Sequence, residues 1–329
     1  MAISPFNYPV NLALSKIIPA LLVGNSVVFK PATQGSITGA ILADFFYKSK
    51  FPAGTINIVT GKGSEIGDYL IKNNDINVIS FTGSPEIGNK IRKTRGDANL
   101  ILELGGKDAA IIEHDANIDF SIKEIIKGAF DYSGQRCTAI KIVYADELNK
   151  KEIIKKLTSK ILNLSIGSPH EKVNIVPLIN NNALKFSLEL IDDAKKKKGK
   201  ILTGGQSDGN FLFPTLIEMK NLNSRIMNEE QFSPILPIYF YKKEDIDKII
   251  ININKSNYAL QASIFTELKD NFWEIARKIN VGTVNWNKAS SRGPDIFPFL
   301  GIKDSGQGIQ GIYYALESMT RIKGYIENK

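Results

Sequence analysis

The sequence contains one cysteine, Cys137, within Gly134-Gln135-Arg136-Cys137-Thr138. A thiolate is the side chain best suited to attack a carbonyl carbon at neutral pH, and nearby positive charge favours its formation. Arg136 supplies such charge from the adjacent position. Glu103, in Leu102-Glu103-Leu104-Gly105-Gly106-Lys107, is a carboxylate set among apolar residues and glycines. It could activate the thiol or a later water. Each residue also has a plainer reading. A lone cysteine is most often a small buried hydrophobe, and a strand-end glutamate is usually solvated. Histidine chemistry is poorly supplied, since only His114 and His170 occur, and both read as surface residues. No zinc-spaced Cys/His set is found, so no metal is expected.

These side chains need elements to position them. A chain of 329 residues with 43% hydrophobic content can bury a substantial core in about two domains. The net charge of +8 is compatible with nucleic acid, a membrane surface or a small anion. The basic residues are scattered, except for Lys195-Lys196-Lys197-Lys198. That run follows a helical pattern and precedes Gly199, as a solvated helix end would. With no RNA-recognition signature, neither nucleic acid nor membrane is expected as a partner. Pro5, Pro9 and Pro19 interrupt the apolar start of the chain, so no signal peptide or membrane span is read there. A single cysteine fits a reducing compartment, and a cytoplasmic protein is the expectation.

Ser4-Pro5-Phe6-Asn7-Tyr8-Pro9 reads as a loop, because each proline biases its predecessor away from helix. Apolar residues then recur at helix spacing from Leu12 to Leu21, and Gly24-Asn25 ends them. Val27-Val28-Phe29 is a buried strand running into Lys30-Pro31. Next come helix 37–47, strand 56–59 and a helix opened by Gly61-Lys62-Gly63-Ser64. Strand 78–81, Thr82-Gly83-Ser84-Pro85, a helix to Thr94 and strand 101–104 follow. This alternation predicts an α/β fold with a parallel sheet and right-handed crossovers. Ligands of such sheets bind beyond the strands' C-terminal ends, where Lys30, Gly63, Ser84 and Glu103 fall. Ser84-Pro85 equally fits ordinary helix capping. From Gly106 the alternation restarts, with strands 109–112, 140–144, 238–241 and 262–265. Helices 119–130, 150–162, 183–197, 244–252 and 270–279 complete a second α/β domain. Residues 320–326 alternate polar and apolar, a strand pattern.

The strings around Glu103 and Cys137 resemble the general-base and nucleophile motifs of the aldehyde dehydrogenase superfamily, and the resemblance runs from about Ser4 to the end. Tyr132-Ser133-Gly134-Gln135-Arg136-Cys137-Thr138-Ala139, with Lys30-Pro31-Ala32-Thr33-Gln34-Gly35, is similar to the non-phosphorylating glyceraldehyde-3-phosphate dehydrogenase branch. The resemblance implies a parallel Rossmann-type cofactor domain over 1–104, present in part, and a catalytic domain over 105–302. A return segment over 303–329 would end in an oligomerisation strand that reaches over a neighbouring subunit. The resemblance implies that the Cys137 thiolate adds to an aldehyde, while the Asn7 amide and the Cys137 backbone N–H hold the oxyanion. Glu103 would then activate the water that hydrolyses the thioester. Ser4, Lys30, Thr33, Gly63, Gly83 and Ser84 would contact the cofactor, with Glu230 on the nicotinamide ribose and Phe232 near its ring. Many NAD-using relatives carry a glutamate where Thr33 stands, so NADP is expected ahead of NAD, with Lys30 and Lys62 adding positive charge. Tyr8, Arg136, Thr138 and Arg292 would bind the substrate, and guanidinium groups match phosphate oxygens bidentately. The implied substrate is a phosphorylated aldehyde, glyceraldehyde 3-phosphate, oxidised to 3-phosphoglycerate.

Two departures from the family pattern are visible. Ser233, in Glu229-Glu230-Gln231-Phe232-Ser233-Pro234, replaces a usual glycine. The family also carries a long segment ahead of its Pro-Phe/Trp-Asn loop, with part of the cofactor domain, most of an oligomerisation hairpin and a further phosphate-binding arginine. Here Met1 stands almost at that loop, so the sequence is expected to be the C-terminal two thirds of such an enzyme. A homo-tetramer is expected if that segment is present. The alternative reading is a truncated, inactive relative that serves only as a binding or assembly partner. A basic nucleic-acid-binding protein comes last, for want of any motif.

Overall fold

A computed structural model describes residues 1–328. The chain forms two compact units, Met1–Leu104 together with the segment from Gly293 onward, and Gly105–Arg292. The second change of unit falls at Arg292/Gly293.

The first unit is built on a six-stranded sheet, in the order Gly306–Gln307, Asn99–Glu103, Val78–Thr82, Ala2–Ile3, Val27–Lys30, Ile56–Ile58. Every pairing is parallel except that of Gly306–Gln307 with Asn99–Glu103. Parallel sheets are buried on both faces, which is why these strands read as short continuous apolar runs. Ala2, Val27, Phe29 and Ile101 pack on one face with Ala13, Ile17 and Met319. Ile79, Phe81, Leu100 and Leu102 pack on the other with Ile71 and Ile91. Register then fixes what the sheet edge presents. Ile3 lies opposite Lys30 and Phe81, and Thr82 opposite Glu103. The C-terminal ends of four adjacent strands thereby bring Ser4, Lys30, Thr82 and Glu103 to one edge.

The helix Asn11–Leu22 leads away from that edge and ends at Gly24, whose φ of 86° suits glycine. The Gly24 N–H donates to the Leu21 carbonyl and the Asn25 N–H to that of Ala20, closing the last helical carbonyls.

The second unit carries a seven-stranded sheet, in the order Thr283–Trp286, Gln261–Phe265, Asp108–Ile112, Ile140–Asp146, Ile235–Tyr241, Thr215–Met219, Lys200–Thr203. Only the last pairing is antiparallel. Alternate residues again enter opposite cores, Ala109 and Ile111 in one, Ala110 and Ile112 in the other. The helices Ile118–Phe130 and Lys150–Leu162 cover the second of these faces. The lysine run ends the helix Asn181–Lys196 and is exposed.

Residues 320–326, expected to be a strand, form no regular element, and Ile322, Tyr325 and Ile326 are almost fully exposed. An isolated strand has no ladder to satisfy its backbone, and no described strand of this chain pairs with it. No helix among the described residues is long and apolar enough to cross a membrane. Nor does any group of three or more His, Cys, Asp and Glu among them suit a metal ion.

Candidate active site

In the first unit, Glu103 ends its strand with a buried carboxylate. Its Oε2 accepts from Lys16 Nζ at 3.2 Å and from the Thr82 hydroxyl at 2.7 Å. Lys16 belongs to the helix Asn11–Leu22 and is fully buried, so its ammonium is matched by a carboxylate rather than by bulk water. Neither donor was picked out from the sequence. Lys16 shares a helix face with Leu12 and Ala20, both buried, and a lysine on an apolar face was the available signal. Asn7 and Tyr8 lie half-buried in the loop between the first strand and that helix.

Six of the expected cofactor contacts, Ser4, Lys30, Thr33, Gly63, Gly83 and Ser84, belong to the same unit. Ser4 is buried and its Oγ has no hydrogen-bond partner among the described residues. Lys30 Nζ donates to the Pro31 carbonyl at 3.2 Å, and burial lowers its pKa. Thr33 is exposed and opens the short turn Thr33–Gly35. Gly63 is the first residue of the helix Gly63–Ile71, with open space where a side chain would be. Gly83 lies against the Phe81 ring, which a Cβ would strike. Ser84 caps the helix Pro85–Thr94, its Oγ accepting the Ile87 N–H at 3.4 Å. An orphaned hydroxyl, an ammonium and a bare helix N-terminus with room beside it fit a phosphate-bearing cofactor.

In the second unit, the chain leaves the helix Ile118–Phe130 through three successive left-handed residues, Tyr132 and Ser133 at φ 57° and Gly134 at φ 70°. Left-handed backbone is costly outside glycine and persists only when its surroundings over-determine it. Two buried side chains do so here. Ser133 Oγ donates to the Val176 carbonyl at 3.0 Å and accepts its N–H at 2.8 Å. Gln135 Oε1 accepts the Ile179 N–H at 2.9 Å. A Cβ at Gly134 would also collide with the Ser233 carbonyl. Ser233, where the family pattern has glycine, is not among the residues with positive φ, so serine fits the backbone there.

This pinned turn delivers Cys137, half-buried, between buried Arg136 and Thr138. Arg136 Nη2 donates to the Gly128 carbonyl at 2.6 Å, satisfying the last turn of the preceding helix. Its Nε is buried without a hydrogen-bond partner among the described residues. Thr138 offers its carbonyl to Ser290 Oγ at 2.9 Å. The strand that follows contributes Lys141, 1% exposed, whose Nζ donates to the carbonyls of Arg136 and Cys137 at 2.7 Å each. The same ammonium lies 3.4 Å from Glu230 Oε1 and 5.9 Å from the Phe232 ring centre. Glu230 also accepts the Gly106 N–H at 2.9 Å. Burial raises the Glu230 pKa, against the opposing charge of Lys141 and that N–H.

The two glycines after Glu103 are close-approach positions. A Cβ on Gly105 would enter the Glu230 carboxylate, and one on Gly106 would come within 2.8 Å of the Cys137 carbonyl oxygen. Lys107 is buried beside them and donates to the Ile226 carbonyl and to Gln231 Oε1. Burial first, then repulsion from Lys141, holds its pKa well below the usual range for lysine. Gln231 Nε2 in turn donates to the Lys141 carbonyl at 2.6 Å. Arg136, Cys137, Glu230 and Phe232 are thus joined through Lys141, itself held by Gln231; neither Lys141 nor Gln231 was read as a site residue. Arg292 is partly exposed at the end of this unit, after Ser291, whose backbone Gln261 holds from both sides at 2.9 and 3.0 Å.

Residues 1–325 match the model of the aldehyde dehydrogenase family. The NADP-dependent glyceraldehyde-3-phosphate dehydrogenase of Streptococcus equinus is 44% identical over 326 residues, 99% of this chain and 68% of that protein. The pea (Pisum sativum) protein of the same name is 43% identical over 328 residues, 100% of this chain and 66% of its own. The crystal structure of the corresponding Bacillus halodurans C-125 enzyme complexed with NADP superposes with a TM-score of 0.95 at 45% identity. It covers 97% of this chain and 67% of that one. The chain therefore spans about two thirds of the length of the relatives it matches.

Proposed function

The chain belongs to the aldehyde dehydrogenase family, and we propose that it carries the nucleophile and general base of an NADP-dependent oxidation of glyceraldehyde 3-phosphate to 3-phosphoglycerate. The observation that carries this reading is the pinned left-handed turn that presents the only cysteine, with its neighbouring carbonyls held by a buried ammonium. In this reading the Cys137 sulfur bonds to the aldehyde carbon, and the carbonyl oxygen becomes an oxyanion that accepts from the Cys137 N–H and the Asn7 amide. NADP, when bound, supplies the hydride acceptor. The resulting thioester is cleaved by water that Glu103 deprotonates. Arg136 and Arg292 hold the substrate phosphate, with Tyr8 and Thr138 beside it. Ser4, Lys30, Thr33, Gly63, Gly83 and Ser84 bind the cofactor, and Glu230 and Phe232 take its nicotinamide end. A carboxylate in place of Thr33 would repel a 2′-phosphate by about 1 kcal/mol or more in a partly shielded site. The hydroxyl there, with Lys30 and Lys62, favours NADP over NAD. Where the family's N-terminal segment is present, the exposed tail at Ile322, Tyr325 and Ile326 docks on a second copy in a cytoplasmic homo-tetramer.

The test is NADPH and 3-phosphoglycerate formation from glyceraldehyde 3-phosphate, followed optically and by mass spectrometry. Wild type should show it, Cys137→Ser should abolish it, and Thr33→Glu should turn the preference toward NAD. Turnover retained in Cys137→Ser would remove the cysteine from the reaction. A wild-type chain without turnover would leave the assembly-partner reading in its place.

A further inference from the structure

Lys141 interrupts the apolar run Ile140-Lys141-Ile142-Val143 and is buried. An ammonium has three protons to donate and accepts nothing. Two reach the carbonyl oxygens of Arg136 and Cys137 at 2.7 Å, and Glu230 Oε1 stands 3.4 Å away. A planar trans peptide points its carbonyl and the following N–H in opposite directions. Fixing the Arg136 carbonyl therefore turns the Cys137 N–H away from the ammonium. Fixing the Cys137 carbonyl does the same for the Thr138 N–H. One cation on two successive carbonyls thus aims two successive N–H groups to its far side, the arrangement that cradles an anion. The charge also polarises both peptides, strengthening the donors opposite.

We infer that Lys141 is the positioning residue of an oxyanion hole to which Cys137 and Thr138 both contribute backbone N–H groups. The surroundings keep that geometry rigid. Glu230 is held in turn by the Gly106 N–H, and the Lys141 carbonyl by Gln231 Nε2. The inference rests on Cys137 being the nucleophile but needs neither the substrate nor the cofactor proposed above.

Two reagents separate oxyanion stabilisation from thiolate reactivity. With p-nitrophenyl acetate the sulfur bonds to the acetyl carbon, the carbonyl oxygen takes the electron pair, and its collapse expels p-nitrophenolate. With iodoacetamide the sulfur displaces iodide directly, and no oxyanion forms. Both rates scale with the thiolate fraction, so their ratio reports the oxyanion hole alone. Lys141→Met should lower the acylation-to-alkylation ratio at Cys137 about tenfold or more, as loss of an oxyanion donor does. Lys141→Arg, which keeps donors and charge, should recover most of it. Both are read by mass spectrometry of the native chain, with folding checked by circular dichroism. Should Lys141→Met fail to fold, Lys141→Gln keeps two donors on a shorter arm and should give an intermediate ratio. An unchanged ratio in the folded variant would overturn the inference, as would a wild-type cysteine that is alkylated but never acylated. A wild-type thiol resisting both reagents would sink the nucleophile reading along with it. Normal labelling without NADPH formation would sink only the proposed oxidation.

Discussion

Two carboxylates at the Gly105-Gly106 junction face different environments, and each makes its own prediction. Glu103 places Lys16 and Thr82 on a single oxygen, Oε2. Glu103→Gln keeps the shape but cannot accept a proton from water, so one burst of NADPH should be followed by a stalled thioester. Weakening the ion pair with Lys16 should also cost about 2 kcal/mol of stability. Rapid-mix kinetics with mass spectrometry of the acyl-enzyme checks the first, and steady turnover without an acyl-enzyme would exclude the role. Asp108 is 1% exposed, accepts the Gln261 N–H at 3.1 Å and leaves Oδ2 without a hydrogen-bond partner among the described residues. Burial pushes its pKa from 3.8 up to about 7, against the charge of Lys141 and that N–H. The folded pKa lies above the unfolded one, so the unfolded chain releases this proton first as pH rises. The group's contribution is therefore most favourable below about pH 4, is lost progressively up to about pH 7, and is flat beyond. Asp108→Asn should gain on wild type across that window, by at most roughly 4 kcal/mol at about 1.4 kcal/mol per pKa unit. Urea unfolding at about pH 5 and about pH 8 measures it, and a pH-independent difference would refute it.

At the scale of elements, the turn Asp131–Gly134 stores the local strain of the site. Ser133→Ala removes both hydrogen bonds to Val176, so Tyr132 and Ser133 should relax from left-handed backbone and shift Cys137. We expect a loss of about 1–3 kcal/mol in unfolding free energy and a slower alkylation of Cys137 by iodoacetamide. If neither changes, Gln135 alone fixes the turn. Nothing in the wording Tyr132-Ser133-Gly134 announced two non-glycine residues at positive φ, because the constraint comes from residues 176–179. Elements with clean apolar periodicity were legible. The helix expected over 150–162 is Lys150–Leu162, and that expected to end at Thr94 is Pro85–Thr94. The strand Thr215–Met219 was not, since Glu218 breaks its apolar run and is matched through Lys150 and Lys220. The site divided the same way. Glu103 and Cys137 were picked out as candidates from their local wording, whereas Lys16 and Lys141 look like solvated lysines until helix and strand faces are known. Their signal was a charge at a position whose periodic neighbours are all apolar.

At the scale of the whole chain, the first unit is discontinuous, and its completion by the C-terminal segment can be tested by truncation. Arg92 Nη2 reaches the Gly306 carbonyl at 2.6 Å, and the Leu104 N–H donates to the Ser305 carbonyl at 3.0 Å. Asn25 and Asn99 donate to the carbonyls of Met319 and Ser318 at 2.9 and 2.7 Å. Met319 also fills the core against Ala13, Ile17 and Phe29. At about 1 kcal/mol per hydrogen bond and about 2 kcal/mol for a buried methionine, these contacts rival the whole stability of an ordinary domain, about 5–15 kcal/mol. Ending the chain at Arg292 would in addition expose the edge of Asn99–Glu103, the strand that ends in Glu103. Ending it at Thr320 removes only residues beyond the last helix, of which 321–328 are irregular and exposed. We expect the shorter chain to lose the unfolding transition of the first unit and to be cleaved by protease within residues 1–104. The longer one should unfold within about 0.5 kcal/mol of wild type. Equal protease resistance of the two would mean that the parallel strands hold Glu103 in place without the returning segment.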